Sequence, residues 1–209
     1  LTTSTELANG GLEGGGGWKG SAADPAFDGA PGCGGSLTVS SLGAFDPPPV
    51  RIYVDDSAPA GGDGRTWATA FQSIQAGIDE ASSEGASEVW VAGGIYEEAI
   101  TMKSSVAVYG GFPGSGTSFS SRDVEAYPTI IDATSVTGVG KTLAHAVTWW
   151  GETNNRLDGF IITGGQNIYG SANQNERRGG GIYMRNLNAS CVLANCKIIG
   201  NSADQFAGG

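Results

Sequence analysis

The stretch Phe160–Gly164, FIITG, returns 36 positions later as Cys196–Gly200, CKIIG. Superimposed, Phe160 and Ile162 fall under Cys196 and Ile198, while Ile161 and Lys197 share the opposite face. Side chains alternate between the faces of a strand, so the first set points to a core and the second to solvent. Other glycine-ended apolar runs stand at Val89–Gly94 (VWVAGG) and Val106–Gly111 (VAVYGG). Further steps toward the N-terminus place Ile130 under Phe160 and Val106 under Ile130. The runs lie too far apart for two-residue hairpin turns, so each strand is expected to return parallel to the last. The spacing therefore predicts an all-β parallel β-helix, a solenoid whose inward ladders of Val, Ile and Phe form the core. A β-sandwich is the alternative architecture.

Toward the N-terminus, Arg51–Asp55 (RIYVD) alternates as a strand, and a turn rich in Gly and Asp follows over Asp56–Gly64. Residues 66–82 then read as a helix, because Phe71, Ile74, Ile78 and Ala81 form one apolar stripe. Residues 1–50 differ in kind. They are rich in Gly, Ser and Pro, include Gly14–Gly17 and end in Pro47-Pro48-Pro49, a stiff extended joint. Within this arm only Ser36–Leu42 alternates like a strand, with Leu37 and Val39 on one face, which makes it a candidate strand donor. Two regions are thus expected: an arm over 1–50 and the solenoid over 51–209, with its helix at about 66–82.

Only 15% of the 209 residues are charged, 36 are glycine, and the net charge is −10. Many glycines with few charges suit a turn-rich β protein. The acidic balance argues against nucleic acid and anionic membrane surfaces, which select clustered Lys and Arg. No run approaches the roughly 18 apolar residues that span a bilayer. The chain opens on Leu1, as it would after removal of a signal peptide or other trimming. Cys33, Cys191 and Cys196 include no CxxC pair, and with His145 the only histidine they make no Cys/His zinc site.

Residues 51–209 resemble the bacterial pectate-lyase-like right-handed β-helix repeat proteins, whose roles are unassigned. The resemblance rests on IYVDDSAPAGGDGRTWATAFQSIQAGIDEA, EVWVAGGIYEEAI, VAVYGGF and PTIIDA. The later GGGIYMRN and CKIIGNSADQFAGG are similar to repeats of polymorphic outer-membrane proteins and related surface adhesins. The resemblance implies a right-handed parallel β-helix capped at its N-terminal end by the helix around Ser73–Ala81. It also implies a secreted or cell-surface location. It says little about activity, since this fold carries lyases, hydrolases, adhesins and tailspikes alike.

The residues themselves offer no catalytic constellation. Glycoside hydrolysis needs clustered carboxylates, and Asp132 and Asp158 stand isolated in their strands. Arg156 with Asp158, and Arg177-Arg178 on the next turn, are the nearest match to a lyase's Arg and acids, but Arg ordinarily stays protonated and the plainer reading is a surface ion pair. Asp55, Asp56 and Asp63 crowd the loop VDDSAPAGGDG, a candidate calcium loop or ordinary turn chemistry. No other cofactor is indicated. Trp149 and Trp150, adjacent in a strand, point to opposite faces, one to the core and one to the surface, where a sugar could stack. Asn188 opens an Asn-Ala-Ser glycosylation sequon, and Arg185 and Lys197 read as solvated outward residues.

The final run, ending at Gly208-Gly209, matches Gly179-Gly180-Gly181 before Ile182, as if a further coil were about to start. An edge left there is a template for another strand, so Leu37, Val39, Ile182, Ile198 and Phe206 are candidate assembly residues. The expected function is that of a non-catalytic extracellular structural or adhesive protein, self-associating head-to-tail through the solenoid ends into a filament. The competing expectations are a polysaccharide-binding or lyase-like protein acting on a glycan, and the N-terminal piece of a longer surface adhesin.

Overall fold

A computed structural model describes residues 50–85, 88–137, 145–167 and 179–203. The chain divides at Pro47/Pro48, and every described residue belongs to the second unit. Within it, β1 (Arg51–Val54), β2 (Glu88–Ala92), β5 (Ala107–Phe112), β8 (Arg156–Asp158) and β12 (Val192–Ala194) lie side by side as a five-stranded sheet. A four-stranded sheet contains β3 (Gly94–Tyr96), β6 (Thr129–Asp132), β9 (Phe160–Thr163) and β13 (Lys197–Ile198). A three-stranded sheet contains β4 (Ile100–Thr101), β7 (Val147–Trp150) and β11 (Ile182–Arg185). β10 (Gln166–Asn167) pairs with β14 (Ser202–Ala203).

Every strand pairing among the described residues is parallel. That removes the hairpin-built β-sandwich. The expected class, an all-β right-handed parallel β-helix, is also corrected. The structure is mixed, with 37% of the described residues in strands and 13% helical, and its parallel strands are divided over separate sheets. The sequence pattern misled because repeated apolar runs report parallel neighbours without reporting how many sheets those neighbours make. VWVAGG and VAVYGG pair with each other in the five-stranded sheet, whereas FIITG and CKIIG pair in the four-stranded one.

The helix is shorter than its stripe suggested. α1 (Ile74–Glu84) begins after Ser73, whose side chain accepts the Ala76 N–H, and ends at Gly85 in the left-handed region. Residues before it are used otherwise: Trp67–Thr69 is a 3-10 turn, and Phe71 bridges to Val54 as extended backbone. The Glu98 carboxylate, from the segment after β3, accepts the Ile74 N–H at 2.6 Å and the Gln75 N–H at 3.1 Å. An anion there satisfies two orphan donors and complements the helix dipole. Ile74, Gly77, Ile78 and Ala81 are buried against β1 and β2. A β-carbon at Gly77 would stand 2.5 Å from Val54 Cγ2, so only glycine lets the helix lie this close.

The core is made of facing columns. Ile52, Val89, Val108 and Leu157 are register neighbours in the five-stranded sheet and are all fully buried. Tyr96, Ile131 and Ile162 do the same in the four-stranded sheet, as do Ile100 and Val147 in the three-stranded one, where Trp149, two residues along β7, is buried as well. Each such side chain contributes roughly 1.5–3 kcal/mol of burial. Lys197 lies beside Ile161 and Ile198 beside Ile162, as the 36-position superposition has it. The next step is off by one: Thr129 lies beside Phe160, and Ile130 is on the outer face beside Ile161. Thr129 can hold the inward place because its hydroxyl accepts the Gly111 N–H at 2.8 Å and donates to Ala92 O at 3.3 Å. Val106 precedes a strand of another sheet, so it is not beneath Ile130 at all.

The outer face of the five-stranded sheet carries a second cluster. Trp90 stacks on Phe112 with centroids 4.3 Å apart, Tyr53 and Trp67 pack edge-on at 4.8 Å, and Ala58 and Ala70 complete it. The Arg51 guanidinium lies 3.6 Å over the Trp90 ring and bonds Glu88, which also accepts the Trp90 indole N–H.

Candidate functional site

Asp158 is the outward residue of β8 between Tyr109 and Ala194 in the sheet register. Its position would leave a carboxylate beside an aromatic layer, and three donors converge on it. Arg156, two residues earlier on the same face, gives Nε–H to Oδ2 at 2.8 Å. Arg122 gives Nη2–H to Oδ1 at 2.6 Å, and Asn195 gives its amide to the same oxygen at 2.8 Å. The Asp158 side chain is only 4% exposed. Burial by itself would raise its pKa, but the hydrogen bonds from Asn195, Arg122 and Arg156 outweigh it and hold the carboxyl below its ordinary value.

Arg122 arrives from outside the sheet, just after the 3-10 turn Phe119–Ser121, where Ser118 accepts the Ser120 N–H. Its Nε–H also bonds Gly110 O at 2.6 Å, and its guanidinium lies 5.7 Å from the Phe119 ring. The segment around it therefore straps over β5 and β8. Asn195, between β12 and β13, adopts a positive φ of 49°, and the equivalent corner before β9 is Gly159 with φ 86°. Both are residues that tolerate the left-handed region.

Two adjoining clefts open beside this network. One of ≈ 270 Å³ runs between the strap (Val124, Glu125, Pro128) and the outer side of β9 and β13 (Ile161, Lys197). The other, ≈ 490 Å³ and wider, is bordered by Phe119, Ser120, Arg122 and Asp123. Val124 and Asn195 line both. Glu125 and Lys197 meet across the mouth at 3.1 Å, both well exposed.

The remaining candidates are placed as follows. Asp158 is not isolated, as its neighbours show; Asp132 is occupied in its own turn, accepting the Thr134 N–H and hydroxyl. Asp55 accepts from Ser57, and Asp63 accepts from Arg65 N–H and Thr69 hydroxyl, bonds that lower the Asp63 pKa. Asp55, Asp56 and Asp63 are not gathered as a metal-holding group, and no such group of three His, Cys, Asp or Glu occurs among the described residues. Asn188 is exposed and accepts the N–H and hydroxyl of Ser190. Ile182 and Ile198 are half-buried in β11 and β13, while Leu37, Val39, Phe206, Arg177-Arg178 and Cys33 lie outside the described residues.

Trp149 is buried and Trp150 is 53% exposed, as alternation requires. The Arg185 guanidinium stands 5.4 Å over the Trp150 ring, and Tyr183 stacks on His145 at 4.8 Å. Cys191 and Cys196 are both free thiols, and burial pushes the Cys196 pKa up.

Sequence reasoning found Arg156 and Asp158 but missed Arg122, Asn195 and Phe119. One signal was present for Asn195: it occupies the place of Gly159 in the 36-position superposition, and Asn is the usual substitute for Gly at such corners. No helix among the described residues is long and apolar enough to cross a membrane. The chain matches no protein-family model, no curated protein and no solved structure.

Proposed function

We propose that this chain is an extracellular structural or adhesive protein that pairs with a second copy of itself through strand edges. The observation that carries the reading is that β11, β12, β13 and β14 are the terminal strands of all four sheets. Among the described residues no strand pairs with their outer edges. Such a row of edges is a template for further pairing. Exposed apolar side chains accompany it: Met184, Leu193 and Ile199 are 43%, 37% and 56% exposed.

The opposite edge is closed at β1 and at β4. Outside β1, Tyr53 and Asp55 donate to Gly64 and Phe71 carbonyls, and the Phe71 N–H returns to Tyr53 O. Beside β4, the Gln75 side chain accepts the Thr101 N–H and donates to its carbonyl. A head-to-tail filament would need those groups, so the favoured arrangement is two like edges meeting about a two-fold axis, which closes as a dimer. The acidic, glycine-rich composition supports an extracellular setting.

Light scattering over a concentration series tests this. A dimer is expected, reverting to monomer when Leu193→Lys and Ile199→Lys are combined. A monomer at every concentration would remove the reading, and open filaments by electron microscopy would remove the two-fold geometry.

A further inference from the structure

We propose that the paired clefts beside Arg122 and Asn195 bind an uncharged glycan, with Phe119 as the stacking surface. The ring is 45% exposed although it is held edge-on by Trp90, Tyr109 and Phe112 at centroid distances of 5.7, 5.1 and 5.9 Å. Its backbone is fixed in a capped 3-10 turn. A rigid apolar plate left open to solvent loses little entropy when a ligand covers it. Next to it stand groups that donate and accept in fixed directions: the Ser120 hydroxyl, the Asp123 carboxylate and the Asn195 amide. The amide is oriented by its bond to Asp158, so its geometry does not depend on the ligand. A pyranose ring presents an apolar C–H face surrounded by hydroxyls, which matches a plate rimmed by hydrogen-bonding groups.

Charge selects the class of sugar. Arg122 and Arg156 share the single Asp158 carboxylate, Lys197 pairs with Glu125, and Asp123 adds a negative charge, so cations and anions around the clefts are equal in number. The chain as a whole carries −10. A uronate, sulfated or phosphorylated ligand would meet no net positive site and would be repelled by the acidic chain, whereas neutral hydroxyls would not. The two clefts lie side by side with Val124 and Asn195 lining both, which suits a linear oligosaccharide of more than one unit. The site does not require self-association, since all of its residues belong to one chain.

The test is titration of the full chain with cellohexaose, xylohexaose, mannohexaose, chitohexaose and hexagalacturonate. Calorimetry and intrinsic fluorescence are the readouts, Trp90 being in contact with Phe119. At least one neutral oligosaccharide should bind, and Phe119→Leu, which keeps apolar volume, should weaken it about tenfold. Amide NMR shifts on the unaltered chain, independent of any variant, should map to residues 119–125 and 195–197. Failure of every sugar to bind in the millimolar range, preference for hexagalacturonate, shifts elsewhere, or a Phe119→Leu variant that folds and binds equally well would each overturn the proposal.

Discussion

Gly159 lies directly beneath the Arg122 guanidinium, and a β-carbon at this position would overlap Nη2. The glycine also holds φ at 86°, where side chains are strained. Gly159→Ala should therefore push Arg122 off Asp158 and cost roughly 1–3 kcal/mol. Urea unfolding measures the loss, and an unchanged midpoint would contradict the geometry.

Asp158 should govern part of the acid stability. Its pKa is depressed in the folded chain, so the unfolded state binds the proton more readily. Stability from this group is present above its unfolded pKa, near 4, and is lost as pH falls through the lower folded value. Asp158→Asn should lower stability at neutral pH by about 3 kcal/mol, because two guanidinium groups lose their counter-charge. It should also flatten the acid limb, and thermal melts from neutral to strongly acidic pH would show both effects. Asp79, whose pKa is also depressed, leaves some slope behind: burial opposes the shift there, and bonds from Lys103 and Gln75 override it.

Asn155 is a buried polar residue with one assignment. Its Oδ1 accepts the Trp149 indole N–H at 3.0 Å, and its amide donates to Lys103 O at 3.3 Å. Asn155→Leu should cost about 1–3 kcal/mol by orphaning both partners. Trp149→Phe should cost less in the Asn155→Leu background than alone, a coupling that a double-mutant cycle reads directly.

Glu98→Gln should loosen the start of α1, since it removes the anion that accepts the Ile74 and Gln75 N–H groups. The expected cost is about 1 kcal/mol. Hydrogen exchange should accelerate at residues 74–76 more than at 80–84.

What the sequence disclosed and what it hid have physical causes. Period-two alternation identified the inward and outward faces of β9 and β13, and the split of Trp149 from Trp150. It failed at β6, where a threonine satisfied by hydrogen bonds took an inward place and shifted the frame by one. The apolar stripe that began at Phe71 was real, but Phe71 reaches the core from extended backbone and only Ile74 onward is helical. Arg122 left no trace because its partner is 36 residues away and joins it through tertiary packing alone.

The strap has a consequence for synthesis on the ribosome. Arg122 emerges before Asp158, and Asp158 before Asn195, so a growing chain has its guanidinium, then its carboxylate, and only last the amide that locks them. Until residue 195 has cleared the exit tunnel, Asp158 lacks the last of its three donors, while the Arg122 bonds to Gly110 O and Asp158 and the ring contacts of Phe119 already have all their partners. A pause in translation within that interval would leave a half-fastened molecule, and a truncated product ending before Asn195 would keep a buried carboxylate oxygen short of one donor.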